Sequence, residues 1–299
     1  MWRRVVALAV ALTLGGCSAA APPSEPPPSE PPATQPAGTV SPGSVPRSDH
    51  VVIVVFENKN GPSVAGNSAA PYLNSLAAQG ASFANSFGLT HPSQPNYLGL
   101  FSGSTQGVTG DACPKNFTGT PNLGSQLIAA GLTFAGYSEG MPADGFKGCG
   151  VGGYARKHNP WVDFDNVPAT SNLRFSRFPG DFSQLPTVSF VIPNLCHDMH
   201  DCAVSTGDTW LRDNLGAFAE WAKSHNSLLI VTFDEDDFTS VNRITTVFFG
   251  QTVRPGVYQQ RIDHYTVLRT LEDMYGLAPL GNAAAASPLT DIWTVGPGR

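Results

Sequence analysis

From His50 onward the sequence alternates short apolar segments with amphipathic ones, and this alternation limits the fold more than any other feature. The first apolar segment, "HVVIVVF", is continuous and β-branched, which is typical of a strand buried on both faces of a parallel sheet. Helical spacing follows in "APYLNSLAAQG", where Leu73, Leu76 and Ala77 share one face and Gly80 is the expected end. The pattern recurs through "TVSFVI", "GDTWLRDNLGAFAEWAKSH", "LLIVTF" and "HYTVLRTLEDMYG". It predicts an α/β fold with a doubly wound, mostly parallel sheet and helices on both faces.

Polar side chains follow four of these strands at the point where each strand is expected to end. They are Glu57 and Asn58, Ser138 and Glu139, His197 and Asp198, and Asp234 and Glu235. Because the carboxyl ends of parallel strands meet at one edge of a sheet, these side chains are expected to lie close together. Any one of them alone is explained as a polar turn residue or a helix cap. Four such clusters at one edge predict a functional site.

The serine in "THPSQPNYL" stands at the expected start of a helix. Pro95 suits an early helical position, which places Ser93 at the N-terminal edge, where free backbone N–H groups attract anions. A serine hydroxyl needs a base or a metal to become a useful nucleophile. The carboxylates of Glu57, Asp234 and Glu235 can hold a cation that ionises it. Ser93 is therefore predicted to be a nucleophile, the alternative being an ordinary helix N-cap.

The first 49 residues predict export and a tether. A basic start and an apolar segment too short to span a bilayer stably are followed by "LGGC", which resembles a bacterial lipobox. Residues 1–16 are thus predicted to be a lipoprotein signal peptide and Cys17 its lipidation site, the alternative being an ordinary signal peptide that ends near a cysteine. Residues 17–49 are rich in Pro and Ser, which predicts a disordered tether before a domain at 50–299. We expect this domain to be exported and anchored at the outer face of the cell membrane or in the cell envelope.

The charge of the chain limits which classes of partner it can bind, and its cysteine content indicates its redox compartment. Without residues 1–16, 15 basic residues stand against 23 acidic ones, which argues against nucleic acid as a partner. Beyond Cys17 the chain has an even number of cysteines, which in an oxidising compartment predicts two disulfides with three pairings open. We favour Cys113 with Cys149 and Cys196 with Cys202, because the second pair closes a tight loop. A zinc site is the competing interpretation, but no CxxC spacing supports it.

Six motifs between about His50 and Trp293 occur in an informative order: "VVIVVFEN", "HPSQPNYL", "YARKHNPW", "VIPNLCHDMHD", "VTFDEDD" and "DHYTVLRTLEDMYGL". Together they resemble the bacterial phosphoesterase family of acid phosphatases and phospholipases C, a branch of the alkaline-phosphatase-like superfamily. The resemblance implies an alkaline-phosphatase-like fold and a metal-dependent phosphoric ester hydrolase. It also implies that Ser93 is the nucleophile. The implied metal ligands are Glu57, Asn58, Asp234 and Glu235, with Asp198 as a support or an additional ligand.

The resemblance implies that His158 and His200 lie near the leaving group, with Asp201 beside His200, and that Asn96 lies beside the phosphate. We also expect His91, Lys157 and Asp201 to bind substrate, Lys157 because its positive charge attracts an anionic headgroup. Lys157 is explained equally well as part of a solvated basic turn. His264 is left open between a metal ligand and a packed residue in the first turn of a helix.

The residue types also predict which metal binds. The ligand set is almost entirely oxygen, which suits a hard divalent cation such as Mg, Ca or Mn better than Zn. Four acidic groups at one place repel each other strongly without a cation, so an ion is expected in the resting protein. The number of ions is left open.

The predicted function is that of an exported acid phosphatase, a monomer that hydrolyses phosphate monoesters through a phosphoseryl intermediate. Its substrate is expected to be a small phosphorylated molecule or a phosphoinositide headgroup. One alternative is a phospholipase C-type phosphodiesterase that uses the same site on membrane phospholipids. Another is a carboxyl-ester hydrolase using Ser138 in "GYSEG", although the glycine-rich segment that follows does not predict the helix such a site needs. The last is a non-catalytic solute-binding lipoprotein.

Overall fold

The computed structural model describes Trp2 and residues 45–294. The predicted signal peptide apart from Trp2, the lipidation site at Cys17 and the tether up to residue 44 lie outside this range and stay predictions. Residues 45–49 belong to the folded body, because Ser48 O accepts a hydrogen bond from the Tyr275 hydroxyl at 3.2 Å and Val45 packs against the core. The body therefore begins before the predicted boundary at residue 50. In the described part of the chain, no helix has the length and apolar character needed to cross a bilayer.

Strands and helices alternate as the sequence pattern predicts. The strands in the described residues are β1 (His50–Phe56), β2 (Ala81–Phe87), β3 (Phe134–Ser138), β4 (Gly150–Val151), β5 (Tyr154–Ala155), β6 (Asn172–Arg174), β7 (Val188–Ile192), β8 (Ser227–Phe233), β9 (Arg243–Ile244), β10 (Val247–Gly250) and β11 (Gly256–Asp263). The α-helices there are α1 (Gly61–Val64), α2 (Pro71–Gln79), α3 (Ser93–Ser102), α4 (Leu123–Ala129), α5 (Val204–Ala222) and α6 (His264–Tyr275).

The main sheet has the order β11-β2-β10-β8-β1-β7-β3-β6, with β9 paired to β2. Strands β1, β3, β6, β7 and β8 pair in parallel, as do β2 and β11, whereas β10 and β9 run antiparallel to their neighbours. Strands β4 and β5 form a separate hairpin. The prediction of a mostly parallel α/β sheet is confirmed.

The central strand β1 is buried on both faces, as its continuous apolar sequence predicts. Val51, Ile53 and Val55 face a core that includes residues of α3, α4 and α6, and the alternate residues face a second core formed with α2 and α5. This division follows from the period of two in a strand. Helices therefore cover both faces of the central strands, and the strand ends are accessible for a site.

Both favoured disulfides are present. Cys113 pairs with Cys149, with Cα atoms 5.7 Å apart, and Cys196 pairs with Cys202, with Cα atoms 4.7 Å apart. The first bridge joins the loop before α4 to the start of the β4–β5 hairpin. The second closes the short loop that follows β7.

Candidate active site

Two pairs of polar residues, Glu57–Asn58 and Asp234–Glu235, leave the sheet side by side at the ends of β1 and β8. Phe56 lies opposite Phe233 in the parallel register, so Glu57 and Asp234 are the next residues of adjacent strands. Asn58 turns the chain away from β1 with φ of 50°, a left-handed conformation that asparagine adopts more readily than most residues. Its backbone N–H donates to Asp234 Oδ1 at 3.3 Å. The carboxyl groups of Glu57, Asp234 and Glu235 are buried.

Ser93 is the first residue of α3, and its side chain is buried among these acids. Its hydroxyl lies 2.9 Å from Glu57 Oε2 and 3.0 Å from Glu235 Oε1. The Asn58 amide group is within 3.3 Å of the same two carboxylates. The structure thus brings the predicted nucleophile together with the predicted ligands from two strands.

Burial raises the pKa values of these acids. For Glu57, burial and then the charges of Asp234 and Asp198 place the pKa well above its usual value. Burial and then Glu235 do the same to the pKa of Asp234. Burial raises the pKa of Asp198 to about 7. Each shift means that a negative charge is costly at this place without a compensating positive one.

The donor atoms fit a divalent cation. Asp198 Oδ2 and Asp234 Oδ2 are buried and have no hydrogen-bond partner among the described residues. Glu57, His158 and Asp198 each offer one ligand atom, and these three atoms lie within 4.8 Å of one another. Unsatisfied carboxylate oxygens in a buried acidic cluster are the groups that a metal ion satisfies. The cluster can therefore hold a divalent metal.

His158 lies among the candidate ligands, whereas the sequence placed it near the leaving group. Its Nε2 is 3.1 Å from Glu57 Oε1, and its Nδ1 is 3.6 Å from Asp198 Oδ2. Burial, and then the charge of Lys157, lowers its pKa well below the usual value. A neutral, buried imidazole is a good metal ligand and a poor proton donor. The geometry therefore makes His158 a candidate metal ligand, in place of its predicted position near the leaving group.

Asn96 does not face the reaction centre, contrary to the predicted contact with phosphate. Its Nδ2 donates to Thr90 O at 2.8 Å and to Pro92 O at 3.2 Å, and its Oδ1 accepts from the backbone of Leu89 and Thr90. All of its polar atoms are used to hold the loop before Ser93. Asn96 therefore positions the nucleophile.

His91 is also engaged by the protein, although the sequence predicted substrate binding. Its Nδ1 contacts Glu235 Oε2, and its Nε2 lies 3.0 Å from Thr239 O. The exposed ring of Phe238 stacks on the imidazole, with centroids 4.9 Å apart. With both ring nitrogens occupied, His91 fixes Glu235 and the loop after β8.

His200 is at the solvent side of the cluster and remains available. Its Nδ1 is 2.7 Å from Asp201 Oδ1, and its backbone N–H donates to Asp198 Oδ1 at 2.8 Å. The ring centroid is 6.4 Å from that of His158. Asp201 is exposed and contacts His200, so it is placed as a support for that ring and not in the buried centre.

His264 is the buried first residue of α6. Its Nε2 is 2.6 Å from the backbone oxygen of Asp234, and burial lowers its pKa. Asp263 caps the helix by accepting from Thr266 N at 3.0 Å. Its Nδ1 is buried and has no hydrogen-bond partner among the described residues, so both interpretations left open by the sequence fit this geometry.

Sequence reasoning missed two residues at this site. The Tyr97 hydroxyl donates to Glu57 Oε1, and its ring stacks on His158 with centroids 5.1 Å apart. The spacing of four residues after Ser93 placed Tyr97 on the same helix face and could have identified it. Asp111 accepts from Gln94 N at 2.9 Å and pairs with Lys157 Nζ at 2.7 Å. No sequence pattern singled out Asp111.

Comparison with known proteins identifies the group to which this arrangement belongs. The sequence model of the Phosphoesterase family matches residues 64–278, most of the described body. The chain belongs to the phosphoesterase family. It is therefore a phosphoric ester hydrolase.

Named relatives of this phosphoesterase are phosphatases. It is 55% identical over 252 residues to the phosphatidylinositol-3-phosphatase of Mycobacterium tuberculosis, with 84% of each chain covered. It is 30% identical to an acid phosphatase of Aspergillus fumigatus, covering 73% of this chain and 53% of that one. The chain thus spans 84% of the first relative but about half the length of the second.

Solved structures support the fold. A protein of the alkaline phosphatase superfamily from Vibrio parahaemolyticus matches with a TM-score of 0.55 at 14% identity, covering 81% of this chain and 71% of that one. A phosphonate monoester hydrolase from Silicibacter pomeroyi matches with a TM-score of 0.55 at 11% identity, covering 81% and 76%. At such identities the likeness concerns the fold alone, which is the predicted alkaline-phosphatase-like one.

The second candidate nucleophile of this phosphoesterase is not placed for catalysis. Ser138 is the buried last residue of β3, and its hydroxyl donates to Asn159 Oδ1. A turn through Gly140 follows, and no helix begins there. A nucleophile elbow needs an exposed hydroxyl at a strand-to-helix turn. The carboxyl-ester hydrolase interpretation of "GYSEG" is therefore not supported.

Proposed function

We propose that this phosphoesterase is a metal-dependent phosphatase that hydrolyses phosphate monoesters through a phosphoseryl intermediate at Ser93. The observation that carries the proposal is the Ser93 hydroxyl, which lies within 3.0 Å of a carboxylate from each of two strand ends, Glu57 after β1 and Glu235 after β8. The similarity to a phosphatidylinositol-3-phosphatase supports a phosphoinositide monoester as the substrate class.

Glu57, Asn58, Asp234 and Glu235 would hold the cation, with Asp198 and His158 completing the set around Glu57. When bound, a divalent cation lowers the pKa of a hydroxyl and offsets negative charge on phosphate oxygens. The oxygen-rich donor set favours Mg, Ca or Mn over Zn.

The chain's own residues account for the proton and bond changes. Ser93 Oγ forms a bond to phosphorus as the bond to the ester oxygen breaks, and its proton passes to Glu57 or Glu235, both in hydrogen-bond contact. His200 is the proton donor to the departing oxygen, because it is a partly exposed imidazole whose ring centroid lies 6.4 Å from that of His158. Water then cleaves the phosphoserine, one of its protons goes to His200, and Ser93 regains its own. Asn96 and His91 keep Ser93 and Glu235 in place.

The ester class distinguishes this activity from that of a phospholipase C. We expect release of inorganic phosphate from short-chain phosphatidylinositol 3-phosphate and from 4-nitrophenyl phosphate, with much slower cleavage of bis(4-nitrophenyl) phosphate and phosphatidylcholine. Preferential cleavage of the diester substrates would show instead a phosphodiesterase acting from the same site.

The role of His200 is tested by changing the leaving group. An alkoxide needs a proton as it departs, whereas nitrophenolate hardly does. We expect His200→Gln to lower kcat for an alkyl phosphate by about 10²-fold and for 4-nitrophenyl phosphate by less than about fivefold. Bound metal, measured by elemental analysis, should not change. Equal losses on both substrates, or loss of metal, would remove His200 from this role. His225→Gln, which alters an exposed histidine stacked on Trp221, is the matched control.

A further inference from the structure

A cavity of about 470 Å³ lies beside the start of α3 and is not used by the chemistry described above. Two charged residues, Asp111 and Lys157, stand in its wall and form an ion pair at 2.7 Å. Their side chains are 29% and 22% exposed, so both can be reached from the cavity. The remaining wall includes the Cys113–Cys149 disulfide, the turn at Gly150–Gly152 and Leu195.

The ion pair is joined to the reaction centre on two sides. Asp111 Oδ1 accepts from the backbone N–H of Gln94, the residue directly after Ser93, at 2.9 Å. Lys157 directly precedes His158, which contacts Glu57. A substrate whose phosphate is at Ser93 therefore has this cavity beside it.

The wall is held rigidly. The Cys113–Cys149 bridge ties the Asp111 loop to the β4–β5 hairpin. The buried Arg156 guanidinium donates to Lys115 O at 2.6 Å and to Lys147 O at 2.7 Å, so it links the same two segments a second time. Recognition is most selective where the contacting groups are fixed before the ligand binds.

The chemistry of the pair suits a polyhydroxylated ring. The Asp111 carboxylate accepts hydrogen bonds from hydroxyls, and the Lys157 ammonium donates to hydroxyl or phosphate oxygens. Neighbouring acceptor and donor groups can bind two adjacent hydroxyls of one ring. An aryl leaving group such as nitrophenolate has no such pair of hydroxyls.

We propose that Asp111 and Lys157 form a recognition site for the alcohol part of the substrate, which is a polyhydroxylated ring of the inositol type. The proposal rests on the phosphatase function proposed above and adds the residues that select the alcohol. Asp111 and Lys157 contact the ring and take no part in the transfer of phosphate.

The test compares two monoesters in steady-state kinetics of the full chain. We expect Asp111→Asn to lower the ratio of kcat/KM for inositol 3-phosphate to that for 4-nitrophenyl phosphate by about tenfold. The asparagine keeps an oxygen for the Gln94 N–H, so the rate with the aryl ester should fall by less than about threefold. Lys157→Gln should lower the same ratio in a second, independent way. Asp144→Asn is the matched control, because Asp144 pairs with Arg174 and its side chain is 30% exposed.

Two further results would overturn the proposal. An equal fall for both esters in Asp111→Asn and Lys157→Gln would show that the pair only positions Ser93. A fall with short-chain phosphatidylinositol 3-phosphate but not with free inositol 3-phosphate would place the contact on the lipid and not on the ring. Failure of the parent protein to hydrolyse 4-nitrophenyl phosphate would instead refute the phosphatase function, so the two failures are distinguishable.

Discussion

Ser93→Ala is expected to lower kcat/KM for 4-nitrophenyl phosphate by about 10³-fold or more. The hydroxyl lies between Glu57 and Glu235, and no other described hydroxyl has this pair of contacts. Without it the remaining groups can only position water. The measurement is phosphate release under substrate excess, with metal content and melting temperature compared to confirm that the site remains folded.

Ser138→Ala is the matched control for this change. Ser138 is also a buried serine and is the last residue of β3, but its hydrogen-bond partner is Asn159 and not a carboxylate of the acidic cluster. We expect activity within about threefold of the parent protein, because surrounding atoms retain their positions. Retained activity in Ser93→Ala, together with loss in Ser138→Ala, would reverse the assignment of the nucleophile.

Glu57→Gln is expected to abolish both tight metal binding and turnover. Glu57 contacts Ser93, Tyr97 and His158, so it joins the oxygen-rich cluster to the group that also includes Asp198. Replacing one carboxylate oxygen with an amide removes a charge from the ligand set, and we expect losses of at least about 100-fold in metal affinity and in kcat. Titration calorimetry of metal-stripped protein with Mg²⁺, Ca²⁺, Mn²⁺ and Zn²⁺ measures the affinity directly.

Glu272→Gln controls for the general effect of removing a buried carboxyl group. Glu272 is fully buried in α6, away from Ser93, and burial raises its pKa to about 7. Its Oε1 accepts from Leu280 N at 2.7 Å, a bond that glutamine preserves. Metal affinity and turnover should be unchanged. Full activity of chelated parent protein, or normal metal binding by Glu57→Gln, would contradict a metal-dependent mechanism.

The sequence predicted the sheet and the acidic centre because both follow from local patterns. A continuous apolar strand such as β1 is buried on both of its faces. A polar residue directly after the end of such a strand must therefore lie at the edge of the sheet. Glu57 and Asp234 therefore lie together as expected. The position of Ser93 followed from the helix start encoded by Pro95.

The side-chain roles of nearby residues were less predictable, because they depend on contacts between segments far apart in the sequence. Asn96 and His91 have suitable chemistry for substrate binding, but their polar atoms are engaged by the protein. Those of Asn96 hold the loop before Ser93, and those of His91 contact Glu235 and Thr239 in the loop after β8. His158 was expected near the leaving group, but it is buried between Glu57 and Asp198 and is therefore a candidate metal ligand. Asp111 lies in the long loop between α3 and α4, and the course of that loop, which no short sequence motif predicts, brings it to the site.

The stereochemical course of transfer at phosphorus tests the central claim most directly. An aryl phosphate made chiral with oxygen isotopes is hydrolysed in labelled water, and the configuration of the released phosphate is determined by NMR. Transfer to Ser93 followed by transfer to water comprises two in-line displacements, each of which inverts phosphorus. The account predicts net retention of configuration. Net inversion would show direct attack by water and would contradict the phosphoseryl intermediate.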